Sequence, residues 1–296
     1  HASLVFPHQL FEQHPALDPE RDVYLLEDTL FFGPDPRWPL AMHKKKIILH
    51  RASMKAYAAE LENQGFTVHY LDCQPGHDTI SVLENLFSDP PEALHFCDPV
   101  DDVLSRRLQR YAEKHGVTLE QKESPNFLSP SSWLDDVLGS KKKPFMATFY
   151  KAQRKRMDIL MDSDGEPLGG KWSYDEDNRK KLPKSQRVPE PPSAPTSDFV
   201  TEAQNHLAEN FPDAQGSSHA FAYAIDRPSA KKWLADFLRE RFHLFGDYED
   251  AIHTEHRIMF HSVLTPALNI GLLSPDEVVT EALAFARKND ITLNTL

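Results

Sequence analysis

With 296 residues, 40% of them hydrophobic, the chain can bury one large core or two ordinary ones, and its formal net charge of −12 excludes a protein coated in basic surface. An acidic total still allows a local cationic patch that holds phosphate. Two cysteines, Cys73 and Cys97, exclude a disulfide framework and any four-cysteine cluster within these residues.

A reducing cytoplasm is therefore the expected compartment. No apolar run approaches the roughly 18 residues of a membrane span, and the opening HASLVFPHQLF enters a strand-like run with no legible signal peptide.

Ser3–Phe6 is a short apolar run ended by Pro7, and Asp22–Leu26 is a second, ended by Glu27 and Asp28. Ile47–Leu49 follows three lysines, Lys44 to Lys46, and Ser53–Gln64 reads as an amphipathic helix. Phe66–Leu71 alternates like a strand, Thr79–Phe87 reads as helix and Ala93–Cys97 as strand. Asp101–His115 is a strong helix with Val103, Leu104, Leu108 and Tyr111 on one side, followed by a last strand candidate at Val117–Leu119. Such alternation predicts an α/β fold with a doubly wound parallel sheet. Ligands of these sheets sit at the carboxyl ends of strands, which makes the loops at Pro7–Gln9 and Glu27–Asp28 candidate ligand positions.

Pro125–Pro144 reads as a connection with short helical turns, and Phe145–Met161 as a helix. Lys141–Arg156 is locally basic, and Tyr150, Trp172 and Tyr174 lie nearby in sequence, a mixture of cations and aromatics suited to nucleic acid. Arg187–Pro195 holds four prolines and reads as an extended linker. From Ser197 only helices are expected: Thr201–Asn210, Ser229–Phe242 with Ser229 as N-cap, Tyr248–His253, Ile258–Ile270 and Asp276–Lys288. The expected division is an α/β domain over 1–135, a connecting segment with a basic helix over 136–200, and the opening of a helical domain over 201–296.

Neither a G-x-G-x-x-G motif nor a Walker loop occurs, and Gly169-Gly170 is too short to replace one. His253 and His256 have i, i+3 spacing, but two solvated histidines in a His-rich chain are the better account, so no metal site is assigned. Hydroxyl residues preceding helices in FGDYEDAI and FHSVLTPALNIGLLSP offer anion positions, against ordinary N-capping at Ser262, Thr265 and Ser274.

The segment HSVLTPALNIGLLSP resembles the flavin-phosphate segment of photolyases and cryptochromes, usually T-S-x-L-S-P followed by G-x-L-S, and GDYEDAI resembles the flavin-contacting tyrosine region before it. HKKKIILHRASMKAYAAEL, GGKWSYDEDNRKKLP and ITLNTL are similar to the bacterial iron–sulfur branch, the deoxyribodipyrimidine photolyase-related proteins. His261 and Val263 stand where the widespread pattern has Thr and Arg.

This resemblance implies light-driven repair of UV-damaged DNA, with (6-4) photoproducts as the lesion and reduced FAD as electron donor. A blue-light sensor of cryptochrome type and a non-enzymatic chromophore-binding α/β module are the alternatives. A lumazine antenna is expected at His8, Gln9, Glu27, Asp28 and Lys45. One wall of an FAD site is expected at Tyr248, His261, Ser262, Leu264 and Thr265. Damaged DNA is the implied partner, met by Lys151, Arg154, Lys155, Arg156, Lys171, Arg179, Lys180 and Lys181. Family members continue past the ITLNTL-like segment and carry most of the flavin pocket, the catalytic residues and the [4Fe–4S] cysteines there. The chain is thus expected to be an N-terminal fragment that by itself holds neither FAD nor cluster and lacks repair activity. The helices from Ser229 to Lys288 would then be exposed, rearranged or covered by a second copy of the chain.

Overall fold

A computed structural model describes residues 1–139 and 143–296. Five parallel strands, β1 (Ala2–Val5), β2 (Val23–Leu26), β3 (Val68–Leu71), β4 (Ala93–Cys97) and β5 (Thr118–Lys122), form one sheet in the order β3-β2-β1-β4-β5. The predicted doubly wound sheet is present. The chain travels outward from β1 to β3, then crosses back to β4 and on to β5. The reversal lies between β1 and β4.

Four helices accompany the sheet: α1 (Thr29–Phe32), α2 (Lys44–Asn63), α3 (Thr79–Leu86) and α4 (Asp102–His115). Right-handed crossovers require α2 on one face and α3 and α4 on the other. Accordingly Leu83 of α3 and Leu104, Leu108 and Tyr111 of α4 share a core with Leu4, Phe6, Leu26, Leu94 and Phe96. Helix α4 is stopped as expected from a sequence with Gly116 after His115: the glycine takes a left-handed conformation, φ 69°, and its amide reaches the Ala112 carbonyl.

The chain divides into two compact units. The first comprises 1–126, 193–233 and 264–274, so α7 (Asp198–Asn210) and α10 (Thr265–Asn269) belong with the sheet, and α7 packs on α2. The second comprises 127–192, 234–263 and 275–296 and contains α5 (Ser131–Leu138), α6 (Met146–Met157), α9 (Phe242–Tyr248) and α11 (Pro275–Lys288). The boundary falls inside α8 (Arg227–Glu240). Trp233, Phe237 and Leu238 of α8 are buried, whereas α11 has no buried residue.

Several elements differ from the sequence expectation. Ile47–Leu49 is part of α2, which begins at Lys44 with the His43 Nδ1 accepting from the Lys45 amide. Every residue from Ile47 to Met54 is buried, so the helix shows no polar stripe that would reveal its period. The cap of α8 is Asp226, not Ser229: its Oδ1 accepts from the Ser229 amide at 2.8 Å. Helix α6 stops at Met157 because Asp158 turns left-handed, φ 52°, not at Met161. Tyr248 ends α9 and does not open a helix over 248–253. The expected helix over 258–270 shrinks to α10, because Val263 is left-handed, φ 53°, and Pro266 fits only a first turn.

Candidate functional site

At the carboxyl ends of β1 and β4, where the strand order reverses, two side chains bridge the gap. Gln9 is fully buried and its Nε2 donates to the carbonyls of Cys97 and Asp98, both at 3.1 Å. His8, half-buried, pairs Nε2 with the Pro99 carbonyl at 2.8 Å and stacks on Phe31 with ring centroids 4.6 Å apart. Burial pushes the His8 pKa down to about 4, against the opposing pull of Pro99, Asp101 and Asp98. Glu27, at the end of β2, accepts from Arg51 Nη1 at 2.9 Å, Tyr70 Oη at 2.5 Å and the Cys73 amide at 3.0 Å. Asp28 caps α1 through the Leu30 amide and accepts from Thr79 Oγ1 at 2.6 Å. Burial raises the pKa of both carboxylates. The ammonium of half-buried Lys45 reaches the Ala220 carbonyl at 3.1 Å.

Gln9, Glu27 and Asp28 therefore have their polar atoms committed to the fold. Beside them lies a residue that sequence reasoning passed over. His50 of α2 is buried next to Phe31 and Phe32, with the Pro7 backbone carbonyl as the group placed to bond its ring, and Nδ1 of His8 has no hydrogen-bond partner. Burial, Lys46 and His8 push the His50 pKa down to about 3, against the pull of a hydrogen bond to the Pro7 backbone. The strand ends thus carry two imidazoles against aromatic rings, with Nδ1 of His8 unpartnered. The sequence HRASM held the signal only as a polar residue inside a buried helical run.

In the second unit, α6 ends in Arg154, Lys155 and Arg156, where cations complement the carbonyl end of a helix. Arg154 does not belong to an exposed basic face: it is buried, and its guanidinium donates to the carbonyls of Ile159, Leu160 and Trp172. Ile159 and Leu160 lie in the turn just after α6, and Trp172 in the segment that returns to it. Gly169 and Gly170, both at φ 75°, then turn the chain so that Trp172 and Tyr174 meet α6. The positive φ of Gly169 favours glycine there, while the atoms nearest an added Cβ, Leu293 Cδ1 at 2.6 Å and Tyr174 Oη at 2.9 Å, are side-chain ends.

Lys151 Nζ, Arg154 Cζ and Lys155 Nζ lie 5.4, 5.2 and 5.5 Å from the Trp172 ring centroid. Arg156 sits over Trp133 at 4.9 Å, and Lys171 over Tyr174 at 5.6 Å. Arg179 and Lys180 are each paired at 2.7 Å, with Asp250 and Asp247 respectively, which removes their net charge from the surface. Lys151, Lys155, Lys171 and Lys181 are exposed and, among the described residues, have no carboxylate in ion-pair range. Lys141 and Lys142, which open the basic stretch, lie outside the described residues.

Residues 3–223 match the family model described as deoxyribodipyrimidine photo-lyase-related protein. The chain belongs to this photolyase-related family. An uncharacterized protein of Acanthamoeba polyphaga mimivirus is 37% identical over 190 residues, covering 61% of this chain and 94% of that protein. A (6-4) photolyase of Agrobacterium fabrum is 25% identical over 258 residues, covering 86% of this chain and 51% of the relative. Among solved structures, a bacterial class III photolyase from Agrobacterium tumefaciens superposes with TM-score 0.54 at 16% identity, over 99% of this chain and 55% of that one. A Synechocystis cryptochrome gives 0.57 at 13% identity, over 99% and 57%. These superpositions establish a shared fold. The chain spans about half the length of the photolyase and cryptochrome relatives.

Of the expected flavin-wall residues, Tyr248, His261 and Ser262 belong to the second unit and Leu264 and Thr265 to the first. Tyr248 is buried among Met259 and Phe260, His261 Nδ1 accepts from the Met259 amide at 3.1 Å, and Ser262 is half-buried. In the first unit, Leu264 is buried and Thr265 is an exposed first residue of a helix only five residues long. Cys73 is half-buried and Cys97 buried, and burial raises both thiols, Cys97 to about 12. Among the described residues no group of three or more His, Cys, Asp or Glu is arranged to hold a metal ion. His253 and His256 lie 5.0 Å apart, ring to ring, and are exposed or nearly so.

Proposed function

We propose that this chain is the α/β domain and the opening of the helical domain of a light-driven flavoprotein that repairs UV-damaged DNA, with (6-4) photoproducts as the lesion class. The observation that carries the reading is the cluster of exposed, unpaired lysines around Trp172 and Tyr174 on a protein of net charge −12. Exposed cations without carboxylate partners create a local positive potential that attracts an anion, and a phosphate backbone supplies one repeatedly. Membership of the photolyase-related family and the (6-4) photolyase relative point the same way. Electron transfer belongs to the FAD that the family implies, and no step of it is assigned to residues of this chain.

At the strand ends, His8 and His50 with Phe31 and Phe32 would face a lumazine-like antenna, while Gln9, Glu27 and Asp28 hold the loops that surround it. The test of the DNA reading is a titration of UV-irradiated and intact duplex at several salt concentrations. The logarithm of the affinity should fall linearly with the logarithm of salt. Binding that is absent, or indifferent to salt, rejects it.

A second reading is a chromophore-binding module without repair chemistry. It is favoured by the mimivirus relative, 94% of which is covered by the match. Ribityllumazine binding together with no DNA binding would select it.

A further inference from the structure

Arg154 is the one cation between 151 and 156 that turns inward, 7% exposed, while Lys151, Lys155 and Arg156 stay at the surface. We infer that Arg154 is a positioning residue for the nucleic-acid face: it fastens the segment 171–174 to α6, so that Lys171 and the helix residues Lys151 and Lys155 meet a phosphate backbone as one patch. The inference rests on the nucleic-acid reading above and adds the device that assembles the face.

Each nitrogen of the guanidinium serves a different carbonyl. Nε donates to Ile159 at 3.2 Å and Nη2 to Leu160, both in the turn that follows α6. Those two bonds are what a cation at the end of a helix ordinarily makes. The third is different: Nη1 donates at 3.2 Å to the carbonyl of Trp172, 18 residues on in the chain. The same guanidinium faces two rings, Tyr150 of α6 at 5.7 Å and Trp172 at 5.2 Å. Backbone and side chain of Trp172 are thus both held to the helix by one residue. The turn needs that support, since Leu160 is left-handed, φ 53°, a conformation that residues other than Gly, Asn and Asp rarely keep. Its carbonyl accepts from Arg154 and also from the Leu168 amide, the latter at 2.8 Å.

Charge is the second argument. The partners of Arg154 are neutral carbonyls, so its burial is offset by hydrogen bonds and not by an opposite charge. A cation at this junction also repels Lys151 and Lys155, which lie 5.4 and 5.5 Å from the same Trp172 ring. A neutral residue would join the two segments without that repulsion. A polyanion on the face offsets it, and the buried charge then adds to the potential that attracts the polyanion. Arg154 itself is too enclosed to take a phosphate. Its effect on nucleic-acid binding therefore passes through the residues it holds, and Lys171, next to Trp172, is the exposed cation on the fastened segment.

The experiment uses the whole chain and a fluorescently labelled duplex oligonucleotide, with affinity followed by anisotropy at several salt concentrations. Lys171→Ala should lower the salt slope by about 0.9, the share of one phosphate contact. Arg154→Gln should lower it by a similar amount although its side chain meets no phosphate. Adding Lys171→Ala to Arg154→Gln should change the slope no further, whereas adding Lys151→Ala should still lower it. Arg154→Lys keeps the charge but offers one nitrogen in place of the fork, so it should behave as Arg154→Gln. Hydrogen exchange reads the fastening without nucleic acid: amides of 168–174 should exchange about tenfold faster in Arg154→Gln, with those of β1 and β4 unchanged. Should the Arg154 variants misfold, Gly169→Ala, which strains the turn at φ 75°, should reproduce the loss of the Lys171 contribution in smaller measure. Unchanged exchange, additive effects of Arg154→Gln and Lys171→Ala, or wild-type behaviour of Arg154→Lys each overturn the positioning role and leave the nucleic-acid reading standing. Failure of the unsubstituted chain to bind duplex overturns both.

Discussion

Replacing Arg51 by leucine tests how the strand-end carboxylates are held. Arg51 is 5% exposed, and its guanidinium meets Glu27 at 2.9 Å, Asp72 at 2.7 Å and Glu202 at 2.6 Å. The three partners are not equivalent. The side chains of Asp72 and Glu202 are 59% and 46% exposed, so water replaces the guanidinium and each pair contributes about 0–1 kcal/mol. The Glu27 side chain is 0% exposed. Burial raises its pKa and Arg51 opposes the rise, so without Arg51 it keeps only Tyr70 and the Cys73 amide. Leaving one partner of a buried pair behind costs about 3–5 kcal/mol, and this term dominates.

Arg51→Leu should therefore lose about 4 kcal/mol at neutral pH. Adding Glu27→Gln to it should restore more than half of the loss, because an amide needs no counter-charge. With Glu27 unpaired in the fold, its pKa rises further above the unfolded value, so the folded state binds the extra proton. The deficit is then full above the raised pKa and shrinks as pH falls toward the ordinary carboxylate range. Urea unfolding read by hydrogen exchange at the amides of β2 and α2 reports this region without assuming that the whole chain unfolds in one step. A loss under about 1 kcal/mol, or a double variant no more stable than the single one, would refute the assignment of the cost to buried Glu27.

Replacing Lys151, Lys155 and Lys171 together by alanine should lower the salt slope for duplex DNA by about 2–3, near 0.9 per lost phosphate contact, whereas Arg179→Ala with Lys180→Ala should change it little because Asp250 and Asp247 already neutralise them. Burial alone would raise the pKa of Asp35, but Arg107 and the amides of Arg37 and Trp38 outweigh it and hold the carboxyl at about 2. Its folded pKa is depressed, so the contribution is complete above the ordinary range near 4 and is lost as pH falls toward 2; Asp35→Asn should flatten that part of a pH-dependent unfolding series. Gln9→Leu should cost about 1–3 kcal/mol by stranding the buried Cys97 carbonyl and the part-buried Asp98 carbonyl, more than His50→Leu, which gives up only the bond to the Pro7 backbone; chemical denaturation of the two variants checks the contrast.

Local chemistry was legible in the sequence wherever one short segment decides its own conformation. Ala93–Cys97 is a strand over the residues its apolar run marks, and α4 lies between an aspartate cap and a glycine stop, because cap and stop act within a turn of the helix. The alternation of such segments determined the parallel, doubly wound class, since parallel strands need helical crossovers. The segment GGKWSYDEDNRKKLP, which resembles the photolyase-related branch, lies within the residues that the family model matches.

Other features depend on neighbours far along the chain. The first half of α2 is buried on all sides, so its pattern carried no period until the sheet and α7 covered it. Pairing separated cations that look alike in sequence: Arg154 turned inward to carbonyls up to 18 residues away, and Arg179 and Lys180 found aspartates 71 and 67 residues on. Those contacts left Lys151 and Lys155 exposed beside Trp172 and Lys171 beside Tyr174. His50 could not be singled out from sequence either, because whether a histidine nitrogen finds a partner is settled by every group packed around it. Composition and local spacing determine which charges and rings a chain possesses. Burial and long-range pairing, which need the closed fold, decide which of them remain available to a ligand.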